Sequence, residues 1–552
     1  MRGLVVILVL ATTAIVRADP RTGTAPEILL GNRLFDETRF AQYFWARAGS
    51  SVNTTLAEGD PALETTRTTG ASLPGPFRGE SMNCRACHLD VEHRNTPGGG
   101  SRNYADFARR SPIPARPEDG ETVTARNSQH LMNAALRRNG VFALHFDGEF
   151  ATLEALVKGT LTGRNFGWLP DERPIAVAHI ARVIREDDGR GALAARFGGA
   201  TYAGQFRGTD PVFPTNLPVP VAMARDVQRL GDEEVLDAVA AFIAAYLRSL
   251  VGSQDDTGAF DGSPYDRFLA KNGLPRAPAR SESPRAYSRR LARLVERLRS
   301  PVWVDEADGR FALHDQAFRF GPEELAGLRI FLAEPRRSRG RSSGVGNCAA
   351  CHPPPAFTDF AFHNTGATQV EYDAIHGSGA FASLEIPDLE QRNATPEAWL
   401  PPSAARPRAT GRFRAVPSAT RPGFTDLGLW NVLFDPAMAE PARQRALARL
   451  VCSALGPRAC QRARGRPSRL LDGAIALFKT PGLRDLGHSG PYLHTGALDS
   501  LEAVVGFYRD VSVLARGRML RNAAPEIRRI RLAPDDVAPL AAFLRALNED
   551  FQ

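Results

Sequence analysis

Helical periodicity dominates the pattern of apolar and polar positions along this chain of 552 residues, and strand-like alternation is scarce. In the segment 231–250, three acidic residues follow Gly231, and after them apolar residues recur every three or four positions. Those apolar residues are Val235, Leu236, Val239, Ile243, Tyr246 and Leu247. A similar helix opens at Pro534, and its Ala-Ala-Phe-Leu at 541–544 matches Ala-Ala-Phe-Ile at 240–243. The pattern predicts a mainly α protein with long loops and a duplicated helical module, with chance similarity between two alanine-rich helices as the alternative.

Prolines and serines cluster between these segments, at 252–300, a region that ends in an arginine-rich helical stretch. With 43% hydrophobic residues, the chain is long enough for two cores. We therefore predict an N-terminal domain at 19–251, an interdomain linker at 252–300 and a C-terminal domain at 301–552. The last contains a stretch rich in proline, alanine and arginine, 373–468, which we predict to be an irregular insertion.

The N-terminus has the pattern of an export signal. Arg2 precedes an apolar run at 4–16, and small residues follow where a signal peptidase cuts, so cleavage before Asp19 is expected to remove residues 1–18. A retained N-terminal anchor is the alternative, although the run is short for a membrane span. We expect an exported protein located in a bacterial periplasm.

Two copies of Cys-x-x-Cys-His give the strongest chemical signal. The residues are Cys84, Cys87 and His88 in the first copy and Cys348, Cys351 and His352 in the second. Two thiols at this spacing can bond to the vinyl groups of one haem, and the adjoining histidine can then bind its iron. Zinc sites and redox dithiols also use Cys-x-x-Cys, but neither copy has a second cysteine pair nearby to complete a zinc site. The motifs predict two c-type haems, one in each of two cytochrome c-like domains.

Composition and charge exclude several other classes of protein. The net charge of +8 comes largely from arginine, and no basic run interleaved with aromatics suggests nucleic-acid binding. The positive charge favours an acidic redox partner, and a mean hydropathy of −0.25 argues against a polytopic membrane protein. Cys452 and Cys460 are left outside the two motifs, and in an oxidising compartment we expect a disulfide between them rather than two free thiols.

Motifs around both cysteine pairs resemble the bacterial di-haem cytochrome c peroxidase family, which includes MauG-type enzymes. The matching segments are 126–128, 133–134, 146–148 and 153–154 in the N-terminal half, and 347–352, 357–359, 362–366, 479–484, 490–496 and 500–504 in the C-terminal half. The resemblance covers neither the interdomain stretch nor the insertion. It implies that the haem held by His88 reacts with peroxide, and that the haem held by His352 receives or stores electrons.

The resemblance also implies partners. These are hydrogen peroxide and either a small periplasmic electron-donor protein, a cytochrome c or a cupredoxin, or an oxidisable substrate. No nucleic acid is expected, and a homodimer is compatible with the resemblance. An iron that binds peroxide needs an open coordination position, so the distal ligand of each haem decides the chemistry.

The distal ligand of the second haem has two candidates. Counting from Leu501-Glu502 places Tyr508 where the peroxidases carry methionine and the MauG-type enzyme carries tyrosine. A phenolate would lower the reduction potential of the iron relative to methionine. Met519 is the rival ligand, although it lies past the expected position, and Tyr508 could instead be a packed aromatic beside Phe507.

The N-terminal half departs from the family at two places. Phe146 replaces the tryptophan expected between the haems, and 162–168 lacks the acidic residue that assists peroxide cleavage. Cleavage needs a group that moves a proton between the two oxygens. The candidates, none assigned by a motif, are His93, His130, His145, Glu149 and Glu154. Trp168 is either an electron relay between the haems or a core residue.

The family also binds a calcium ion between its domains, through an asparagine side chain and two backbone carbonyls. Asn133, Ser489 and Pro491 match those positions, with serine in place of the usual threonine. Backbone donation tolerates that change because calcium accepts carbonyl oxygen from any residue. The resemblance therefore implies one calcium ion besides the two haems.

Three functions are compatible with these residues. The first, which we expect, is a periplasmic di-haem peroxidase that reduces hydrogen peroxide to water with electrons passed from the C-terminal to the N-terminal haem. The second is a MauG-like oxidase acting on a protein or organic substrate, which Tyr508 favours. The third is a non-enzymatic electron carrier with both irons fully ligated, which the missing acid favours.

Overall fold

The computed structural model describes residues 24–54, 82–88, 110–111, 113–136, 142–312, 314–335, 343–438 and 440–550. The predicted signal peptide and His93 lie outside these residues. Within them the protein is mainly α-helical, which confirms the fold class predicted from the periodicity, and its single sheet has two short strands. None of the described helices is long and apolar enough to cross a membrane.

The helices are numbered here in chain order over the described residues. They are α1 Pro26–Phe35, α2 Gln42–Arg47, α3 Leu153–Leu161, α4 Arg173–Glu186, α5 Ala192–Arg196, α6 Tyr202–Arg207, α7 Asp232–Ser249, α8 Pro264–Lys271, α9 Pro284–Arg297, α10 Pro322–Leu332, α11 Ala367–His376, α12 Leu389–Ala394, α13 Pro441–Leu455, α14 Pro457–Ala463, α15 Pro467–Gly473, α16 Leu501–Arg516 and α17 Val537–Arg545. Strands β1 Phe362–His363 and β2 Phe478–Lys479 pair antiparallel.

The first core is built around α7. Three acidic residues occupy its first turn, where negative charge stabilises the positive end of the helix dipole. Its apolar side packs against α1, α3 and α4. At the crossing of α1 and α7, Gly31 lies against the carbonyl of Phe242, so close that a Cβ at this position would collide with it. The glycine therefore permits the close approach of the two helices.

The second core repeats this arrangement with α10 and α17. Gly327 of α10 lies against the carbonyl of Pro539, and a Cβ there would also come within 2.7 Å of the Phe543 Cβ. Phe543 and Phe242 are the phenylalanines of the two Ala-Ala-Phe sequences. The similarity between the two helices therefore extends to a shared helix pairing.

The region predicted to be a linker, 252–300, contains α8 and α9, and both helices contribute to the second core. Its prolines do not mark a linker. Pro264 and Pro284 each occupy the first position of a helix, where the missing amide hydrogen leaves no hydrogen bond unmade. The side chains of Ser263 and Ser283 cap the same two helices. The proline and serine pattern thus marks helix starts rather than an unpacked connection.

The insertion at 373–468 begins in the last turn of α11 and runs as mostly irregular chain with one short α-helix, α12, before it forms α13, α14 and the start of α15. It supplies most of a third core around Phe413, Trp430 and Leu447, which also includes Phe362 and residues of 471–477. Cys452 of α13 and Cys460 of α14 are joined by a disulfide bond. The insertion is therefore a folded unit rather than a loose loop.

Candidate haem sites

The first attachment motif is a tight turn. Residues 84–86 form a single turn of 3-10 helix, and the amides of Cys87 and His88 both donate to the Cys84 carbonyl. The His88 Nδ1 donates to the carbonyl of Gln129 at 2.8 Å. Because a carbonyl can only accept, Nδ1 carries the proton and Nε2 keeps its lone pair for a metal. Burial lowers the pKa of His88 to about 4, so the ring is neutral near pH 7.

The second motif has the same construction. Residues 348–350 form a 3-10 turn, and the amide of His352 donates to the Cys348 carbonyl at 2.8 Å. The His352 Nδ1 donates to the carbonyl of Phe357 at 2.9 Å. Burial lowers the pKa of this histidine too. Its Nε2 is therefore the nitrogen available to a metal.

The donor groups of both motifs fit covalently bound haem. All four cysteines in the motifs are free thiols, and each histidine is held in the tautomer that a metal requires. Ligand atoms of Cys351, His363 and Glu526 also lie within 4.8 Å of one another. A thioether bond to haem would take up the Cys351 sulfur and leave that trio with two donors. The two motifs are thus the best candidate sites for a cofactor in the described chain.

The structure separates the two candidates for the second distal ligand. Tyr508 lies in the second turn of α16, which is capped by the side chain of Ser500. Burial raises the pKa of Tyr508, and charge on Cys351 and Cys348 adds to the rise, so the phenol lies beside the second motif. Met519 follows the helix, and its side chain is 53% exposed. The surroundings favour Tyr508 over Met519, and its coordination of the iron stays a prediction.

Two of the proton-transfer candidates have other partners. His130 faces Asp485, with 3.7 Å between its Nε2 and one carboxylate oxygen. The other carboxylate oxygen of Asp485 lies 3.0 Å from the Nε2 of His314. This buried carboxylate between two histidines was not foreseen from the sequence, because no local pattern relates the three positions. Glu154 lies at the surface, where it pairs with Arg248.

The remaining candidates, His145 and Glu149, lie together. The His145 Nδ1 is 3.2 Å from a carboxylate oxygen of Glu149. The same oxygen receives a hydrogen bond from Arg414 at 3.0 Å. Arg414 belongs to the insertion, which no motif covers, and therefore sequence reasoning missed its part in the site.

A buried ion network joins this loop to the C-terminal half. Arg126 binds the carboxylates of Asp147, at 2.8 Å, and Asp426. Arg414 binds Asp147 as well. Both aspartates are at most 3% exposed, and a buried charge of this kind is stable only when paired. The segments 126–128 and 146–148, which carry the family resemblance, are thus fixed by long-range ion pairs.

The aromatic residues at the junction have defined neighbours. Phe146 lies edge-on to the buried His494, with ring centroids 6.2 Å apart, and His494 stacks on Phe478 at 3.7 Å. Trp168 is fully buried in the first core and donates its indole hydrogen to the Phe40 carbonyl at 3.0 Å. These contacts favour the interpretation of Trp168 as a core residue.

The predicted calcium residues have other hydrogen bonds. The Asn133 side-chain oxygen accepts from the amide of Gly252 at 3.0 Å, and the Ser489 hydroxyl donates to a carbonyl in its own turn. The Pro491 carbonyl receives the side-chain amide of Asn127 at 2.5 Å. The side chain that contacts the Pro491 carbonyl is thus that of Asn127, and the assignment of Asn133, Ser489 and Pro491 to a calcium ion stays a prediction.

Comparison with known proteins agrees with the motifs. No protein-family model matches the chain. The chain is 34% identical over 74 residues to cytochrome-c peroxidase IdrP1 of Denitromonas iodatirespirans, which is 13% of this chain and 18% of that protein. It is 37% identical over 73 residues to MauG of Methylorubrum extorquens, which is 13% of this chain and 19% of that protein. Over these segments the chain is similar to a cytochrome-c peroxidase and to a MauG protein.

The family resemblance predicted from the motifs is thereby confirmed, although these alignments span less than a fifth of each relative. Two solved structures are also similar: the di-haem peroxidase BthA of Burkholderia thailandensis and a MauG-like protein associated with microbial copper homeostasis. BthA has a TM-score of 0.42 and 18% identity, with 98% of this chain and 88% of BthA covered. The MauG-like protein has a TM-score of 0.40 and 15% identity, with 95% and 89% covered.

Proposed function

We propose that the chain is an exported di-haem peroxidase that reduces hydrogen peroxide to water. The observation that carries the proposal is the shared construction of the two motifs. Each pairs two free thiols with a histidine whose Nδ1 is bound to a carbonyl and whose Nε2 is left for iron. Cys84, Cys87 and His88 would hold one haem, and the equivalent residues of the second motif the other. Haem iron, once bound, supplies a binding position for peroxide and the electrons that break its O–O bond.

The chain's own residues give the two sites different roles. Tyr508 lies beside the second motif and can complete the coordination of that iron, which suits electron transfer. In the N-terminal half, the imidazole of His145 is tied to Glu149 and keeps one ring nitrogen for proton exchange. We therefore assign peroxide reduction to the His88 site and electron entry to the His352 site.

A MauG-like oxidase is the second candidate, and Tyr508 specifically favours it. A phenolate ligand stabilises oxidised iron, so the second haem would give up electrons to an oxidant more readily than it would accept them from a weak donor. Such an enzyme would use peroxide to oxidise a protein or organic substrate. An electron carrier without peroxide chemistry is the third candidate.

Location, partners and the calcium ion belong to the same proposal. Periplasmic haem attachment fits the export signal, and the net charge of +8 favours an acidic cytochrome c or cupredoxin as electron donor. Asn133, Ser489 and Pro491 are the residues we propose for the calcium site, and Asn127 is a further candidate because its side chain contacts the Pro491 carbonyl. The Pro491 carbonyl is a donor that calcium accepts, and a rotated Asn127 amide would supply a second oxygen.

Two experiments test the function. Mass spectrometry of the denatured protein should show the added mass of two haems, and one haem or none would contradict the proposal. Stopped-flow mixing of the reduced protein with peroxide should change the Soret band of the His88 haem. Turnover with a small reduced cytochrome supports the peroxidase. Oxidation of other donors without cytochrome turnover supports the MauG-like enzyme, and two six-coordinate haems that are inert to peroxide support the carrier.

A further inference from the structure

We propose that His145 is the residue that transfers a proton during peroxide cleavage at the His88 site, and that Glu149 and Arg414 hold it in position. The inference rests on the proposed peroxidase function. It deepens that function by naming the proton-transfer group and by giving the insertion at 373–468 a role in the site.

The His145 ring has a defined place in a closed turn. The residue has a left-handed backbone with φ of 62°, a conformation that histidine and asparagine adopt more readily than most residues do. The turn is closed by the amide of Leu144, which donates to the carbonyl of Phe150 at 2.9 Å. The Phe150 ring meets the imidazole edge-to-face at 4.9 Å. The closed turn therefore fixes the backbone of His145, and the Phe150 ring fixes the orientation of its imidazole.

The proton arrangement of His145 follows from Glu149. Burial alone would raise the pKa of Glu149, but Arg414 and the hydrogen bond from His145 hold it well below its usual value, so the carboxyl is ionised at neutral pH. An ionised carboxylate can only accept, and therefore Nδ1 of His145 carries a proton. No hydrogen bond engages Nε2 among the residues that the structure describes. That nitrogen is free to take up a proton and give it back.

His145 also lies on a turn that is bound to the segment holding the proximal ligand. His88 donates to the Gln129 carbonyl, and Arg126, three residues before Gln129, binds Asp147, two residues after His145. His130 directly follows Gln129, but its ring faces a carboxylate of the C-terminal half. Glu154 is paired with an arginine at the surface. His145 is thus the candidate that combines an oriented ring, an available nitrogen and a turn bound to the His88 segment.

The insertion holds this turn through two arginines. Arg414 binds the carboxylates of both Asp147 and Glu149. Arg443 donates to the backbone carbonyls of Gly148, at 2.5 Å, and Glu149. Arg414 is therefore a positioning residue that acts through Glu149. The charged or titratable groups around the turn are Asp147, Glu149, Arg126, Arg414, Arg443 and His88.

The proposed step balances as follows. His145 Nε2 removes a proton from one peroxide oxygen and returns it to the other, which leaves as water when the O–O bond breaks. The net reaction is H2O2 + 2 H⁺ + 2 e⁻ → 2 H2O, with both electrons supplied by the reduced donor of the proposed function. His145 is regenerated because it gives back the proton that it took.

The test compares His145→Asn with Glu154→Gln in the haem-loaded protein. Asparagine tolerates the left-handed backbone, and Glu154 is a surface residue close in sequence, which makes its variant a matched control. Peroxide mixing from pH 5 to 9 should show the reaction of His145→Asn slowed by about 10²- to 10⁴-fold. The control should react like the unmodified protein. Arg414→Lys should slow the reaction less and shift the midpoint of its pH profile.

Cyanide binding to the oxidised protein gives a readout that does not depend on turnover. Hydrogen cyanide must lose its proton to bind iron as an anion, so His145→Asn should also slow cyanide association while the control does not. The spectrum of the oxidised His88 haem should stay unchanged. A change of its spin state would mean that His145 is an iron ligand, and would overturn the inference.

The outcomes separate the inference from the function. If the unmodified protein and His145→Asn react equally fast with peroxide, the inference is wrong and the peroxidase stands. If the unmodified protein is inert to peroxide, the proposed peroxidase function is wrong, and cyanide binding then tests the inference by itself. Slower cyanide association in His145→Asn than in the unmodified protein supports proton transfer by His145, and equal association rates overturn it. If His145→Asn does not bind haem, Glu149→Gln and Arg414→Lys replace it, and unchanged rates and pH profiles in both overturn the inference.

Discussion

The two attachment motifs have the same local construction and different surroundings. His352 is fixed by the carbonyl of Phe357, five residues further along, whereas His88 is fixed by Gln129, 41 residues away. The second site is therefore defined within one short segment, and the first depends on the tertiary structure for the orientation of its proximal ligand. The two motifs thus share the thiols and the imidazole, while the residues proposed for the distal side of each haem come from different parts of the chain.

The residues proposed for the distal sides differ in kind. The second motif has Tyr508, from the helix that begins at Leu501. The first has His145, on a loop held by arginines of the insertion. A buried phenol can fill the last coordination position of an iron, whereas an imidazole paired with a carboxylate can exchange protons with a bound substrate. Unequal roles of the two haems would follow from this difference.

The largest expected effect concerns Tyr508. Replacement by phenylalanine removes the oxygen that would bind the second iron, so the His352 haem should change from low spin to high spin while the His88 haem keeps its spectrum. Met519→Leu is the control and should change neither haem, since that side chain is largely exposed. Electron paramagnetic resonance of the oxidised protein measures the spin state of each haem in both variants. An unchanged Tyr508→Phe spectrum would remove tyrosine from the coordination.

The two glycine crossings test whether the halves are equivalent scaffolds. Gly31→Ala and Gly327→Ala each force a Cβ into a backbone carbonyl of the partner helix, and each should lower the free energy of unfolding by about 3 kcal/mol. Gly506→Ala in α16 meets open space and should be neutral or stabilising by about 0.5–1 kcal/mol. Denaturant unfolding, followed at the Soret band, measures all three. Equal stability of Gly31→Ala and Gly506→Ala would contradict the close crossing.

The junction between the halves should respond to pH through Glu549. Burial raises the pKa of this glutamate to about 7, Asp266 and Asp485 add to the rise, and Arg484 opposes it. The folded protein thus keeps a proton that the unfolded chain, with an ordinary pKa of 4.5, has lost. The free energy of unfolding should fall as pH rises from 4.5 to 7 and then level off, with a total of up to about 3 kcal/mol from this group.

Glu549→Gln should flatten that part of the stability profile. The amide keeps an oxygen to accept the hydrogen bond from the Ser253 amide, which measures 2.8 Å in the structure, so the fold itself should persist. Urea unfolding at pH 4.5, 6 and 7.5 is the measurement. A variant with the same pH slope as the unmodified protein would exclude Glu549 as its source.

The smallest effect is expected at the disulfide of the insertion, which has no counterpart in the first half. Replacing Cys452 and Cys460 with serine opens a loop with a sequence separation of 8 and should destabilise the insertion by about 2–3 kcal/mol. Haem spectra should stay unchanged. Thiol labelling of the unreduced, unfolded protein checks the bond directly, and two labelled cysteines would show that it does not form.

The sequence by itself determined the helical class, the two attachment motifs and the resemblance to the peroxidase family. Helix periodicity and the Cys-x-x-Cys-His spacing are local, because a helix turn and a haem each impose their geometry on residues a few positions apart. The counting that led to Tyr508 is local as well, since it stays within one helix. The linker prediction was wrong for the same reason: prolines at helix starts and prolines in linkers look alike in sequence.

Only the tertiary structure decided which residues surround each site. The contacts of Gln129 with His88, of Asn127 with Pro491 and of Arg414 with Glu149 all join segments that are distant in the sequence. Ion pairs such as Arg126 with Asp426, 300 positions apart, leave no periodic trace in one sequence. A charged side chain is stable in the interior only when an opposite charge lies beside it. The tertiary structure determines which residue supplies that charge.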